Sequence, residues 1–303
     1  MFRLEEFQTA AEQTAMEATV RRACDAAVRD PLSQFLFIDR YTRWNGYAGA
    51  LVAKLSGNIG ESQDLFLDPN ETDRAQAVRG MDVAGHVLDA TVDEHFDKGH
   101  RVPHRTLAQA MRKAAADYAG LSPAERNALS EPPAWLQGVV ARTFMCYGSV
   151  AHDAEALIRS IGTHIASESM ADREYAIIDR VFRAERHHEG FYDYLRQRDY
   201  RVELGGKPVH AYAWITIHAT FESQGVEAEH LAEAMKALEL AARYRPESRE
   251  RILELAREGY RSFAGIQRDF FVHAERECAA AAESRQQVFE QQENAMERDK
   301  EHS

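Results

Sequence analysis

The sequence contains few of the residues that interrupt or cross-link a chain. It has 3 cysteines, 8 prolines and 17 glycines among 303 residues. Glycine and proline together form about 8% of the chain, against roughly 12% in an average protein. Cys24, Cys146 and Cys278 are far apart and form no CxxC pair, which excludes a disulfide framework and a thiolate zinc site. We therefore expect long uninterrupted elements and a cytoplasmic location.

Basic residues are also scarce relative to acidic ones. The chain has 37 Lys and Arg against 49 Asp and Glu, which gives a formal net charge of −12. Such a chain lacks the positive surface that nucleic acid or an anionic membrane attracts, so neither is an expected partner. No apolar run approaches the roughly 20 residues of a membrane-spanning helix. The acidic start, Met1 to Glu6, argues against a signal peptide.

The apolar residues recur at spacings of three and four, which is typical of amphipathic helices. Long helices are predicted over 33–66, 72–97, 104–119 and 135–186, with a final one from about 248. The only candidate strand is 200–204. It precedes a loop containing Gly205 and Gly206, after which a helix is predicted to begin near His210. The fold class is therefore predicted to be all-α, a single bundle of about eight or nine helices.

The pattern also suggests how the chain is divided. Residues 1–278 are predicted to form one all-helical catalytic domain. Within it, residues 1–30 form a peripheral helix that packs on the bundle or on another subunit, and the second arrangement would give a homodimer. Residues 279–303 are rich in Ala, Glu, Gln, Arg and Lys. They predict a charged, solvated helix that becomes partly disordered, or alternatively a coiled coil that binds a partner.

Histidines and acids inside apolar helices are the candidates for chemistry, because a buried acid or imidazole must be paired, neutralised or bound to metal. His218 and Glu222 are four residues apart, on one face of a helix. Glu227 and His230 have the i, i+3 spacing that di-iron carboxylate bundles use. Gly225, between the two pairs, would allow a kink or π-bulge.

Two earlier segments have the same character. His164 and Glu168 share a helical face among isoleucines, and His86 and Asp93 share a face of the helix over 72–97. The alternative interpretation is that these are hydrogen-bonded core histidines and solvated acids. Three helices offering imidazole and carboxylate to one centre predict a non-haem iron or manganese site open to O₂. HExxH, GxSxG, P-loop and dinucleotide-binding motifs are absent from the sequence.

With these residues in place, the chain from Gln34 to Ala242 resembles the heme-oxygenase-like di-iron oxidases and oxygenases, all-helical relatives of thiaminase-type and pyrroloquinoline-quinone-synthase-like proteins. The resemblance rests on the all-α layout and on His164-xxx-Glu168 before a last His/Glu helix. It implies that Glu168 is a lone middle-helix ligand and that His218, Glu222 and His230 are last-helix ligands. His86 and Asp93 reverse the family's order of Glu before His.

The resemblance also implies an activity. The protein would be an O₂-dependent oxidase or oxygenase of secondary metabolism that uses two Fe(II)/Fe(III) ions, with O₂ as co-substrate and electrons from an external donor. Its substrate would be a small amine, amino acid or fatty acid, and Arg43, Arg142 and Arg173 are candidates to anchor a substrate carboxylate. The alternatives are a metal-free substrate-binding or acid–base enzyme of the same fold, and a helical interaction scaffold.

Overall fold

In the computed structural model, the described residues are 1–97, 99–186, 188–219 and 226–301, and the side chains of 93, 226, 227 and 288–301 lie outside the description. The protein is 76% helical. The α-helices are α1 (Ala10–Ala27), α2 (Pro31–Asn45), α3 (Ala48–Glu61), α4 (Arg74–Ala77), α5 (Gly80–His95), α6 (His104–Tyr118), α7 (Pro123–Leu129), α8 (Ala134–Cys146), α9 (Ala154–Asp179), α10 (Gly190–Arg198), α11 (Ala213–His218), α12 (Val226–Tyr244) and α13 (Arg249–Glu301).

The prediction of a mostly helical protein is confirmed, but the helices are more numerous than the predicted eight or nine. The predicted helix over 33–66 is two helices, α2 and α3, separated at Gly46 and Tyr47. The predicted helix over 135–186 divides into α8 and α9, because His152 is left-handed (φ 66°) and Asp153 caps a new helix. The helix predicted over 104–119 is confirmed as α6.

A small hairpin interrupts the helical chain. Strands β1 (Arg201–Leu204) and β2 (Lys207–His210) pair antiparallel, and Val202 lies opposite Val209. Gly205 and Gly206 form the two-residue turn with φ of 59° and 76°. Such a turn needs positive φ at both central residues, which glycine adopts without strain. The next helix therefore begins at Ala213, and the prediction that it begins near His210 was wrong.

The core is organised around α9 and α13, which pack closely against each other. Gly162 of α9 lies against the backbone of Ala256, and Gly259 of α13 lies against the backbone of Arg159. A Cβ at either glycine would overlap a carbonyl oxygen of the other helix. The two helices therefore approach at backbone distance, and α1, α2, α8 and α12 surround them.

The chain ends also belong to helices. α1 contributes buried Val20, Ala23 and Cys24 to the common core. At the other end, α13 continues through residue 279 to Glu301. The separation of 1–278 from 279–303 stays a prediction. Within the described part of the chain, no helix is long and apolar enough to cross a membrane.

The three cysteines occupy different environments. Cys24 and Cys278 are buried and Cys146 is partly exposed, and all three are free thiols. Burial raises the pKa of the thiols of Cys24 and Cys278.

Candidate metal centre

The first group of candidate ligands forms where α5 ends and α6 begins. Glu94 lies in the last turn of α5, and His104 is the first residue of α6. The connecting loop closes on itself through a hydrogen bond from the Asp97 amide to the Val102 carbonyl oxygen (3.1 Å). It thereby brings His104 Nδ1 to 2.9 Å from Glu94 Oε1. The imidazole of His104 is buried, with an exposed fraction of 3%.

His218, the last residue of α11, completes this first group. Its Nδ1 lies 2.6 Å from the carbonyl oxygen of Trp214. Because a carbonyl can only accept, Nδ1 donates to it, which leaves Nε2 as the nitrogen that faces Glu94 and that would coordinate a metal ion in its deprotonated form. That Nε2 lies 3.9 Å from Glu94 Oε1. Tyr175 stacks on the His218 ring with centroids 4.3 Å apart, which holds the ring in this orientation.

This group has the composition and spacing of a metal site. One ligand atom from each of Glu94, His104 and His218 can be chosen so that all lie within 4.8 Å of one another. Burial alone would raise the pKa of Glu94, but interactions with His104 and then His218 outweigh burial and lower that pKa to about 2. A buried carboxylate with two imidazoles beside it is a ligand set that suits a bound cation.

A second group joins α9 to α12. Glu168 and His164 lie one turn apart on α9, with His164 Nδ1 3.2 Å from Glu168 Oε1. His230 of α12 places Nδ1 3.5 Å from the other oxygen, Oε2. All three residues are buried. Burial again opposes ionisation, but His164 and then His230 lower the pKa of the Glu168 carboxyl far below its usual range.

His164 is the clearest indication that the second group has a missing component. Its exposed fraction is 0%, and among the described residues neither ring nitrogen has a hydrogen-bond partner of normal geometry. Its one polar contact among the described residues is that of Nδ1 with Glu168, and a fully buried imidazole with Nε2 unsatisfied is costly. Coordination of a metal would satisfy one of its nitrogens, so the residues present fit a metal ion.

The two groups meet at one cavity of about 190 Å³. Glu94 and His104 of the first group and Glu168 and His230 of the second line its wall. Trp214, Val52, Ala90 and Phe263 supply apolar surface. Each of the two carboxylates therefore lies beside two imidazoles and lines the same cavity.

The structure brings together four of the sequence-predicted residues, His164, Glu168, His218 and His230. His86 lies elsewhere on α5, where its Nδ1 pairs with Glu233 of α12 at a partly exposed position. Glu222 and Gly225 lie outside the described residues, as do the side chains of Asp93 and Glu227.

Sequence reasoning missed Glu94 and His104. One signal for His104 was available: it shares the apolar face of α6 with Leu107, Ala108 and Met111, all of them buried. Glu94 had no comparable signal, because its neighbours on α5 read as an acidic surface.

No protein-family model matches the chain, and no curated protein matches it.

Proposed function

We propose that this protein is an O₂-dependent oxidase or oxygenase that holds two iron ions and acts on a small molecule. The observation that carries the proposal is the pair of buried carboxylates, Glu94 and Glu168, each flanked by two imidazoles on one cavity. Mixed nitrogen and oxygen ligation of this kind suits iron. Two carboxylate charges would also offset much of the charge of two divalent ions.

The residues divide into two ligand groups. Glu94, His104 and His218 would hold one ion, and His164, Glu168 and His230 would hold the other. When bound, the iron ions supply redox capacity and a binding position for O₂. Tyr175 and the Trp214 carbonyl fix the His218 ring before any ion arrives, and such outer contacts tune ligand basicity.

The cavity itself favours a small substrate. Its volume of about 190 Å³ lies below the roughly 300–1,000 Å³ of pockets that take drug-sized ligands. Its wall combines apolar side chains such as Trp214 and Phe263 with the two carboxylates. The proposal therefore includes a compact substrate bound beside the two carboxylates.

The order of these residues along the chain supports a heme-oxygenase-like arrangement as part of the proposal. Glu94 precedes His104 in the chain. Glu168 is the carboxylate that α9 contributes, and His218 and His230 follow on later helices. This is the order of Glu before His that His86 and Asp93 could not supply. His164 is additional to the pattern that the resemblance implies.

One contact favours a second candidate, a metal-free acid–base enzyme. The 2.9 Å contact between His104 Nδ1 and Glu94 is the arrangement that orients a catalytic imidazole. The two candidates differ in whether the protein binds Fe(II), so one titration separates them.

The test is an anaerobic titration of the purified full chain with Fe(II), followed by mixing with O₂. We expect two equivalents to bind and a transient visible absorption to follow. Glu94→Ala and Glu168→Ala should each bind fewer than two Fe(II) ions or bind them with lower affinity. Loss of an outer-shell partner lowers metal affinity roughly 10–100-fold, and loss of a direct ligand should lower it further. Far-ultraviolet circular dichroism establishes that each variant stays folded.

His86→Ala is the matched control. His86 is a histidine of the same helix as Glu94, yet its partner is Glu233 rather than a member of either ligand group. This variant should keep full iron stoichiometry. Binding of much less than one equivalent to the unmodified protein would refute the oxygenase proposal and leave the acid–base candidate.

A further inference from the structure

The metal-ligand groups account for only part of the cavity wall. On another part of that wall lie Thr42, Asn45 and Gly46 from the end of α2, and Arg105 from the first turn of α6. Thr42 and Asn45 are three residues apart, so they share one face of α2. Arg105 directly follows the candidate ligand His104.

Arg105 has no anionic partner among the described residues. Its Nη1 donates to the Thr42 carbonyl oxygen at 2.5 Å, and no described carboxylate forms an ion pair with it. It is also the one arginine or lysine among the described residues of the cavity wall. A guanidinium carries five N–H donors. Because Arg105 is an exposed residue, water or a ligand can supply the acceptors that the described residues do not.

The guanidinium is seated closely against the backbone. A Cβ at Gly46 would overlap Arg105 Nη1 and Cζ. Gly46 therefore provides the space in which the guanidinium lies. The same side chain also lines a second cleft, together with Tyr47 and Leu136.

Two further donors at this place have no acceptor. Thr42 Oγ1 and Asn45 Nδ2 are buried atoms without a hydrogen-bond partner among the described residues, and Thr42 is only 1% exposed. Buried donors left unsatisfied each cost free energy, unless a ligand supplies the acceptors. A ligand with acceptor atoms would satisfy both donors, and one that is also anionic would pair with Arg105.

The arginines named from the sequence are all engaged elsewhere. Arg43 pairs with Asp39, Arg142 with Asp269, and Arg173 lies near Glu17 and Asp172. Arg105 is thus the guanidinium that remains for a ligand at this cavity.

We infer that Arg105, Thr42 and Asn45 form the seat for the carboxylate of the substrate, which makes the substrate a small carboxylic acid rather than a simple amine. A singly charged carboxylate suits one guanidinium, and Glu94, Glu168 and Glu174 on the same wall would repel a phosphate dianion about twice as strongly as they repel a single negative charge. The role as a substrate seat rests on the proposed oxygenase function, but binding of the anion does not.

The test measures binding of three chain-matched probes, hexanoate, hexylamine and 1-hexanol, by calorimetry. It uses the full chain, both metal-free and loaded anaerobically with Fe(II). We expect hexanoate to bind more tightly than either other probe in both forms. Arg105→Met should weaken hexanoate binding roughly 10- to 100-fold while leaving 1-hexanol unchanged. Arg105→Lys should weaken hexanoate binding less than Arg105→Met does, because lysine keeps the positive charge but lacks the bidentate N–H donors of the guanidinium.

Two variants make the test specific. Thr42→Val removes only the hydroxyl and should also weaken hexanoate binding. Arg142→Met, the same substitution at an arginine outside the cavity wall, should leave it unchanged. Equal affinities for hexanoate and 1-hexanol, or no effect of Arg105→Met, would overturn the inference.

The iron titration distinguishes failure of the oxygenase proposal from failure of the carboxylate seat. Arg105→Met should still bind two equivalents of Fe(II). If the unmodified protein binds no iron but shows Arg105-dependent hexanoate binding, the oxygenase proposal fails and the carboxylate seat stands. If iron binds and hexanoate binding is independent of Arg105, the reverse holds.

Discussion

Asp39 shows how much of this bundle depends on a single buried charge. Its side chain has an exposed fraction of 0%. Arg40 contacts it at 2.7 Å and Arg43 at 3.0 Å, and Arg112 of α6 contacts its other oxygen. One carboxylate of α2 thus contacts three guanidinium groups from two helices. Removing one partner of a buried ion pair leaves the others uncompensated.

We therefore predict that Asp39→Asn lowers the free energy of unfolding by about 3–5 kcal/mol, because Arg43 and Arg112 lose their carboxylate partner and Arg40 keeps only its ion pair with Glu277. Chemical denaturation measures the change. The control is Asp25→Asn, which removes a half-exposed partner of Arg21 on α1 and should cost less than about 1 kcal/mol. Equal effects of the two substitutions would contradict the prediction.

At the same scale, the candidate ligands show what the sequence could predict. His164, Glu168, His218 and His230 were identified because imidazole beside carboxylate on an apolar helix is visible as a local spacing. Glu94 and His104 come together only because the loop between α5 and α6 folds back, and that closure has no periodicity to detect. His86 was preferred for its neighbours on α5, yet its contact is with the surface residue Glu233.

Among the elements, the crossing of α9 and α13 places the strictest demand on residue type. Gly162 and Gly259 each face a carbonyl oxygen of the opposite helix, with no room for a methyl group. Backbone atoms cannot move aside as a flexible side chain can. The crossing thus sets the distance between α13 and α9. The position of His164 and Glu168, which lie on α9, depends on that distance.

Gly259→Ala is therefore predicted to destabilise the protein by about 1–3 kcal/mol or more, as overpacking does. Its thermal midpoint, measured by circular dichroism, should fall. Gly265→Ala lies in the same helix but meets nothing within 4 Å. It should instead stabilise the helix by roughly 0.5–1 kcal/mol. A neutral Gly259→Ala would show that the two helices can separate at no cost.

The element boundaries were only partly predictable. Helical periodicity continues across Gly46 and across the segment between α8 and α9, so the sequence predicted one long helix in each place. The breaks follow from local backbone states, such as the left-handed His152, that apolar spacing does not report. Only one strand of the hairpin was predicted, at 200–204. Its partner β2 contains Pro208, a residue that is atypical of strands.

For the molecule as a whole, carboxyl groups whose pKa is lowered in the folded state should make the metal-free protein less stable at low pH. Glu94 has a pKa of about 2 against 4.5 for an ordinary glutamate, because its histidine contacts outweigh burial. The pKa of Asp117 is also lowered: burial opposes this, but Lys113 and Tyr200 outweigh it. Carboxylates with a lowered folded pKa stabilise the fold above their unfolded pKa and lose that contribution as pH falls.

We predict that urea unfolding midpoints of the metal-free protein decline as pH falls from about 4.5 towards 2. At about 1.4 kcal/mol per pKa unit, Glu94 alone would account for up to about 3 kcal/mol over this range. Glu94→Gln should flatten the pH profile, since it removes the titrating group. A stability that rises below pH 4.5 would contradict the sign of the argument.

The three free thiols have one practical consequence. A thiolate is the reactive form of cysteine, and burial with a raised pKa keeps Cys24 and Cys278 from forming it. Cys146 is the accessible thiol, and the next residue, Tyr147, packs against the His164 ring with centroids 6.4 Å apart. A fluorophore or spin label attached to Cys146 would therefore be linked to the candidate metal centre through Tyr147 and His164. No cysteine would have to be added or removed.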